Sequence, residues 1–408
     1  MDNGVEGARG RQIARKGRAI EDVFRFADEL GPAKIVEIYE PGVGLKAIVV
    51  VDNVACGPAI GGVRMASDVS VEECFRLARA MTLKNAAAGL AHGGGKSVIF
   101  ADPRMPVSDK ERLIRAFACA IGDIKDYIPG PDMGTDEGCM AWIVDEIGRA
   151  VGLPREFGGI PLDEIGATGF GLGIAVDVAQ RYCGMTLKGA RMAVQGFGSV
   201  GQHAARFLGQ KGAVLVAAAD SRGTLHDPAG IDIEALSALK AKGGSVIDCP
   251  TGEKMGRDAV ADIACEIWIP AARPDAIHAD NVDGLKARLV AQGANIAVTA
   301  DAEAALHARG VLSLPDFIAN AGGVICAAVE YHGGSETQAF ETIEEKIRRN
   351  TELVLQEAKK TAQPPRRAAV ALAERRVRRA MAHRRWSSST RLDARHAAGR
   401  PSRGRLPP

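Results

Sequence analysis

The chain has 408 residues, of which 46% are hydrophobic, 25% charged and 48 glycine; this composition is that of a soluble globular protein long enough for two or three domains. Its longest unbroken apolar run, Ala213 to Ala219, is far short of the roughly 20 residues that cross a bilayer, which excludes a transmembrane helix. The formal charge of +2 is an average of unlike parts: from Arg366 onward thirteen Arg stand against two acids, a charge of +11 that leaves −9 for the residues before it.

Residues 1–17 are rich in Gly and Arg without the apolar core of a secretory signal, and read as a flexible N-terminus. The eight cysteines are dispersed, with no C-x-x-C pair and no His at zinc-ligand spacing. The expectation is a cytoplasmic protein with reduced thiols and no metal site.

Residues 18–150 form a first α/β block. Apolar runs at Ala47 to Val51 and Val98 to Phe100 alternate with helical stretches. Over Val71 to Ala88 the spacing places Cys74, Leu77, Ala78, Met81 and Ala88 on one stripe, which predicts a helix with a buried face, stopped by the glycines from Gly89 to Gly95.

Residues 151–330 read as a Rossmann-like dinucleotide-binding domain. A helix from Thr168 ends near Gly184; the strand Arg191 to Gln195 runs into Gly196-Phe197-Gly198-Ser199-Val200-Gly201, a helix to Gln210, and the strand Ala213 to Ala219 closing on Asp220. This βαβ unit carries its G-x-G-x-x-G turn where the mechanism needs it. Gly196 permits the tight turn, Gly198 lets the backbone approach the pyrophosphate, Gly201 allows close helix packing, and the helix N-terminus offers amides to the phosphates. Asp220 is placed to accept from the adenosine ribose hydroxyls, favouring NAD, although the adjacent Ser221 and Arg222 leave NADP as the alternative. Further strands at Glu266 to Ile269 and Arg288 to Val290 point to a doubly wound parallel sheet.

Residues 331–386 read as C-terminal helices, with an amphipathic stretch from Gln338 to Thr361, a break at Pro364-Pro365, and a second helix from Ala368 to about Arg385. Residues 387–408 read as a disordered basic tail; without aromatic interleaving or a reading module, it does not make the chain a nucleic-acid binder.

In the first block, Gly57 to Arg64, Met81 to Asn85 and Gly93 to Lys96 set glycine clusters beside lysines. Glycine allows backbone to close around an anionic ligand. A lysine desolvated in such a pocket loses pKa toward neutrality and becomes an acid–base catalyst.

These segments, with Ile128 to Thr135, the Gly196 to Gly201 turn and Pro315 to Val324, resemble the Glu/Leu/Phe/Val amino-acid dehydrogenase superfamily over roughly residues 20 to 385. The resemblance implies an α/β fold with an N-terminal substrate and oligomerisation domain, a Rossmann-like domain, and C-terminal helices returning to the first. It implies reversible oxidative deamination of an L-amino acid to its 2-oxo acid and ammonia, by a homo-oligomer using NAD or NADP. Lys84 resembles the lysine that pairs with the substrate carboxylate, Lys96 the catalytic lysine and Asp132 the proton shuttle. Gly61, Gly62 and Asn320 resemble substrate contacts, and Thr168 and Asn295 contacts around the nicotinamide ribose.

The family's glutamate enzymes have a lysine and a serine where this chain has Ile60 and Ala327, and both contact the side-chain carboxylate. An apolar pocket of Ile60, Val324 and Ala327 implies a branched-chain substrate, nearest the leucine branch. Glutamate dehydrogenase stands as the alternative, and a regulatory relative without turnover as a further one.

Overall fold

The computed structural model describes residues 24–384; the segments read as a flexible N-terminus and a basic tail lie outside the described residues. Two sheets organise the chain. The first contains β1 (Lys34–Glu40), β2 (Leu45–Asn53), β3 (Ala59–Ala66), β4 (Gly93–Phe100) and β5 (Tyr127–Pro131), in the order β1-β2-β4-β3-β5. β1 and β4 run antiparallel to β2, whereas β3 lies parallel to both β4 and β5. The valine-rich β2 is buried along almost its whole length, as a run without alternation requires.

Among the described residues three helices accompany this sheet: α1 (Val71–Ala87), α2 (Val107–Ala120) and α3 (Glu137–Ile147). Ser70 caps α1 by accepting from the Glu73 amide, and Gly89 follows its end at φ +67°. The expected stripe is only partly buried. Cys74, Ala78 and Ala88 are in the core, but Leu77 and Met81 face the cleft described below. Gly93 to Gly95, read as part of a helix stop, instead open β4. A Cβ on Gly93 would come within 1.7 Å of the Asn53 carbonyl oxygen, and one on Gly94 within 2.0 Å of the Thr82 amide. Close approach, not turn formation, demands these glycines.

The second sheet contains β6 (Arg191–Gln195), β7 (Val214–Ala219), β8 (Thr224–His226), β9 (Glu253–Met255), β10 (Ile267–Pro270), β11 (Leu289–Ala291) and β12 (Leu312–Leu314). Its order, β12-β11-β10-β6-β7-β8-β9, is parallel from β12 to β7. The doubly wound parallel sheet is as expected, and at one edge β8 and β9 add an antiparallel ribbon to it. Helices α4 (Ala167–Ala179), α5 (Ser199–Gln210), α6 (Ile233–Ala241), α7 (Ala300–Ala308), the short α8 (Asp316–Ala319) and α9 (Gly322–Tyr331) belong to this half. The β6-α5-β7 unit matches the sequence reading to within a residue.

The chain closes with α10 (Glu336–Thr361) and α11 (Pro365–Ala382). A reciprocal Ser335–Gln338 capping box starts α10, and Pro365 opens α11, where its missing N–H costs nothing. α11 packs back on the first half: Leu372, Ala373 and Val377 share a core with Ala86, Ala87 and Val354, and the Arg376 guanidinium donates to the Ala86 and Ala87 carbonyls at the end of α1.

The crossing between halves is fastened by one carboxylate. Glu330 on α9 accepts from the amides of Gly152 (2.7 Å), Leu153 (3.2 Å) and Ile160 (2.7 Å). Burial raises its pKa, against the pull of those three amides.

Candidate active site

Between the halves lies a cleft of about 890 Å³. One wall is set by sheet register. β3 is flanked by β4 and β5, with Ile60 opposite both Gly94 and Ile128, and Gly62 opposite Gly130. Lys96 projects from β4 and Asp132 from the turn after β5, so residues far apart in sequence meet beside Gly61 and Gly62.

The Lys96 ammonium lies 2.8 Å from Asp132 Oδ1, with the lysine side chain 5% exposed. Burial lowers the Lys96 pKa, partly offset by Asp132. For Asp132 burial acts the other way, but Lys96 and Arg64 outweigh it and hold the carboxyl below its ordinary range. Arg64 Nε donates to Asp132 Oδ2 at 2.7 Å, and the other edge of its guanidinium to Glu73 Oε1 at 2.6 Å. The turn is pinned by Thr135, whose hydroxyl donates to the Val63 carbonyl (2.7 Å) and accepts from the Asp132 amide (3.1 Å).

The close packing explains the glycine pair. A Cβ on Gly61 would stand 1.8 Å from the Gly95 carbonyl oxygen, and one on Gly62 2.7 Å from Asp132 Cβ. Lys84, on the cleft face of α1, has its pKa lowered to about 8, by burial first, with Asp316 opposing. A lysine in this state takes up an anion readily, because the anion restores the stabilisation that burial removed.

From the other half, Thr168, Val200, Asn295, Asn320, Gly323, Val324 and Ala327 line the same cleft. Asn320 donates to the Asn295 side-chain oxygen (3.0 Å) and the Gly293 carbonyl (3.2 Å), while its own Oδ1 is buried without a protein partner. The dinucleotide turn has the form a pyrophosphate needs. Gly196 has φ +93°, a Cβ on Gly201 would strike the Gly196 carbonyl oxygen at 2.1 Å, and one on Gly198 would meet open space. The N-terminus of α5, at Ser199, has no side-chain cap, leaving its amides for phosphate; the Ser199 hydroxyl donates to the Asp163 carbonyl at 3.0 Å.

Asp220 stands at the end of β7 as expected, but its carboxylate is not open. Oδ1 accepts from the Arg222 amide (2.9 Å) and the Ser245 hydroxyl (2.8 Å); Oδ2 accepts from Lys240 (2.7 Å) and the Val246 amide (3.0 Å). These contacts outweigh burial and lower its pKa to about 2. Asp220 therefore anchors the loop after α6 in addition to any contact with a ribose.

Ile60 and Ala327, both buried, line the same cleft as Val151, Leu162 and Val324. The basic residues lining the cleft are Arg64, Lys84, Lys96 and Arg366. Arg64 is committed to Asp132 and Glu73, and Arg366 to Glu303 and Asp316.

Sequence reasoning missed the roles of Arg64, Thr135, Glu330 and Arg366. Arg64 and Thr135 each end a motif named above, which is a usable signal; Glu330 and Arg366 are set by tertiary contacts alone. Among the described residues no cluster of three or more His, Cys, Asp or Glu is arranged to hold a metal, and no helix is long and apolar enough to cross a membrane.

Comparison with known proteins agrees with this architecture. Residues 36–149 match the Glu/Leu/Phe/Val dehydrogenase dimerisation domain, and residues 158–385 match Glutamate/Leucine/Phenylalanine/Valine dehydrogenase. The glutamate dehydrogenase of Aeropyrum pernix is 38% identical over 82% of this chain and 85% of its own. The NADP(+)-dependent glutamate dehydrogenase of Pyrobaculum calidifontis is 37% identical over 92% and 97%. Among solved structures, the hetero-hexameric glutamate dehydrogenase of Thermus thermophilus in its leucine-bound form superposes with a TM-score of 0.77 at 30% identity, covering 86% of this chain and 89% of that one.

Proposed function

The chain belongs to the Glu/Leu/Phe/Val dehydrogenase family and is an NAD(P)-dependent amino-acid dehydrogenase; we propose that Lys84, Lys96 and Asp132 carry its chemistry. The observation that carries this reading is the Lys96–Asp132 contact of 2.8 Å in a cleft shared with Lys84, Thr168, Val200 and Asn320.

In the oxidative direction Lys84 pairs with the substrate α-carboxylate and fixes the Cα hydrogen toward the second half. The Gly196 to Gly201 turn would hold the dinucleotide, with Thr168 and Asn295 as further contacts, and the dinucleotide when bound would supply the hydride acceptor. Asp132 takes a proton from the α-ammonium group, so the nitrogen lone pair is free to form the C=N bond as hydride leaves Cα. Lys96, uncharged, takes a proton from water as the water oxygen adds to the imine carbon. Asp132 returns its proton to nitrogen; as the C=O bond forms the C–N bond breaks, the hydroxyl proton leaves on the departing ammonia as ammonium, and Lys96 releases to solvent the proton it took from water.

Two readings of the substrate side chain have separate support. Glutamate is favoured by whole-chain likeness, since the curated relatives at 37–38% identity are named glutamate dehydrogenases. An apolar, branched-chain substrate is favoured by a specific observation: Ile60, Val324 and Ala327 line the cleft, and of the basic groups among the described residues lining it, Arg64, Lys96 and Arg366 are paired with carboxylates and Lys84 is assigned to the α-carboxylate, which leaves none for a side-chain carboxylate. Burying a side-chain carboxylate without a partner costs several kcal/mol. Reduction of NAD and NADP with Glu, Leu, Ile, Val and Phe separates them. At least tenfold higher kcat/KM on Glu establishes the glutamate reading and removes the pocket argument; the reverse order establishes the apolar one.

The proposed cofactor is NAD, with NADP the alternative, supported by the acidic residue at Asp220. The proposed assembly is a homo-oligomer built through the first half, supported by the match of residues 36–149 to a dimerisation domain.

A further inference from the structure

Asp132 is a carboxylate with two cations, one on each oxygen: Lys96 on Oδ1 at 2.8 Å and Arg64 on Oδ2 at 2.7 Å. Arg64 in turn is held by Glu73 at 2.6 Å, so four charged groups from β4, the turn after β5, β3 and α1 form one chain. Side-chain exposure is 35% at Glu73, 19% at Arg64, 22% at Asp132 and 5% at Lys96, so Glu73 is the most exposed end of the chain and Lys96 the most buried.

The two cations are not equivalent. Lys96 gains and loses a proton, whereas a guanidinium stays charged throughout the working pH range. With Lys96 as its sole partner, Asp132 would share one proton with the amine, and either atom could hold it. A permanent charge on Oδ2 breaks that degeneracy. It stabilises the carboxylate even when Lys96 is neutral, which is the state in which Lys96 can take a proton from water. The fork of Arg64, Nε to Asp132 and a terminal nitrogen to Glu73, also fixes the plane of the carboxylate.

We propose that Arg64 is a positioning residue that keeps Asp132 ionised and oriented when Lys96 is uncharged, and that Glu73 tunes Arg64 by drawing off part of its field. This rests on the assignment of Lys96 and Asp132 as the catalytic pair. The other charged or titratable groups around Asp132 are Lys84 on α1, Tyr127 on β5, Cys74 behind Lys96, Asp136 and Glu137 at the start of α3, and Asp163 across the cleft. None of these hydrogen-bonds the Asp132 carboxylate, so among the described residues Arg64 and Lys96 are its direct partners.

The test is the pH profile of kcat/KM with the preferred amino acid of the panel and saturating cofactor. Arg64→Gln should move the acid limb to higher pH by about one unit and lower kcat at least tenfold. Arg64→Lys, which keeps the charge but not the fork, should return the limb most of the way to the parent position. Glu73→Gln should move it to lower pH, the opposite sign to Arg64→Gln. A uniform loss of activity with an unmoved limb in Arg64→Gln, or displacement of the same sign in both variants, would overturn the proposal. If melting curves show Arg64→Gln unfolded, an unmoved limb in Glu73→Gln overturns it instead. Asp132→Asn separates the underlying assignment: parental turnover in that variant removes Asp132 from the chemistry, whereas loss of turnover there with an unmoved Arg64→Gln limb removes the role of Arg64 alone.

Discussion

Gly62→Ala is the sharpest probe of how tightly the substrate wall is built. The added methyl would lie 2.7 Å from Asp132 Cβ, 3.0 Å from Lys96 Nζ and 3.1 Å from the Pro131 carbonyl oxygen. Carbon atoms in contact settle near 3.5 to 4.0 Å, so about 1 Å of movement is needed, and Asp132 Cβ cannot yield it by rotating. A displacement of that size between reacting groups lowers turnover about 100-fold. The cost to the fold is smaller, about 1 to 3 kcal/mol for one over-packed methyl, because Gly62 does not occupy a left-handed conformation. The assay is kcat and KM for the amino acid, together with cofactor affinity and a melting curve. The expected pattern is kcat down about 100-fold, cofactor affinity unchanged and a folded protein. A folded variant with kcat within threefold of the parent would refute the claim that Lys96 and Asp132 work from the positions seen here.

Two further outcomes follow from the geometry. Gly198→Ala adds a Cβ with nothing within 4 Å, so its melting temperature should stay within a degree or two of the parent while dinucleotide affinity falls at least tenfold; an unchanged Kd would show that the phosphates do not approach Gly198. His92 is buried against Tyr331 and His332, its Nε2 3.1 Å from His332 Nε2 and its Nδ1 3.1 Å from the Pro58 carbonyl. Burial lowers its pKa to about 4, with the Pro58 carbonyl opposing and His332 adding to the shift. Its contribution is complete above the unfolded value near 6.5 and is lost as pH falls toward 4, a few kcal/mol at most. His92→Gln should flatten stability over that window; an unaltered slope in urea melts between pH 6.5 and 4 would refute it.

Much of this was readable from the chain because the strongest signals are local. The β6-α5-β7 unit announces itself by an apolar strand, a glycine turn, a helix and an acid in fixed order, and it folds where those signals place it. The start of β4 was not readable, since Gly93-Gly94-Gly95 has no strand propensity and becomes extended only because β2, α1 and Tyr127 press against it. The β8–β9 ribbon, three residues per strand, is too short to show periodicity. Lys96 and Asp132 could be named from motifs, but the state of their proton depends on Arg64, whose partner lies 68 residues away. Asp220 shows the converse: its position was legible, but not the four protein donors that already surround it, because three of them come from α6 and the loop after it, 20 or more residues away.

Glu330 gives the pocket an unusual ownership. It fastens Gly152, Leu153 and Ile160 to α9, the helix that carries Val324 and Ala327, while the Val151 amide donates to the Pro129 carbonyl of β5 at 2.9 Å, so this segment joins the two sides of the cleft. Ile60 stands on the side opposite Val324 and Ala327, fixed in β3. On the proposed assignment of Ile60, Val324 and Ala327 to the substrate side chain, the pocket is a caliper whose two jaws belong to different halves of the molecule. Residues at the crossing, distant from the reacting carbon, then set the spacing of the jaws and become determinants of substrate choice.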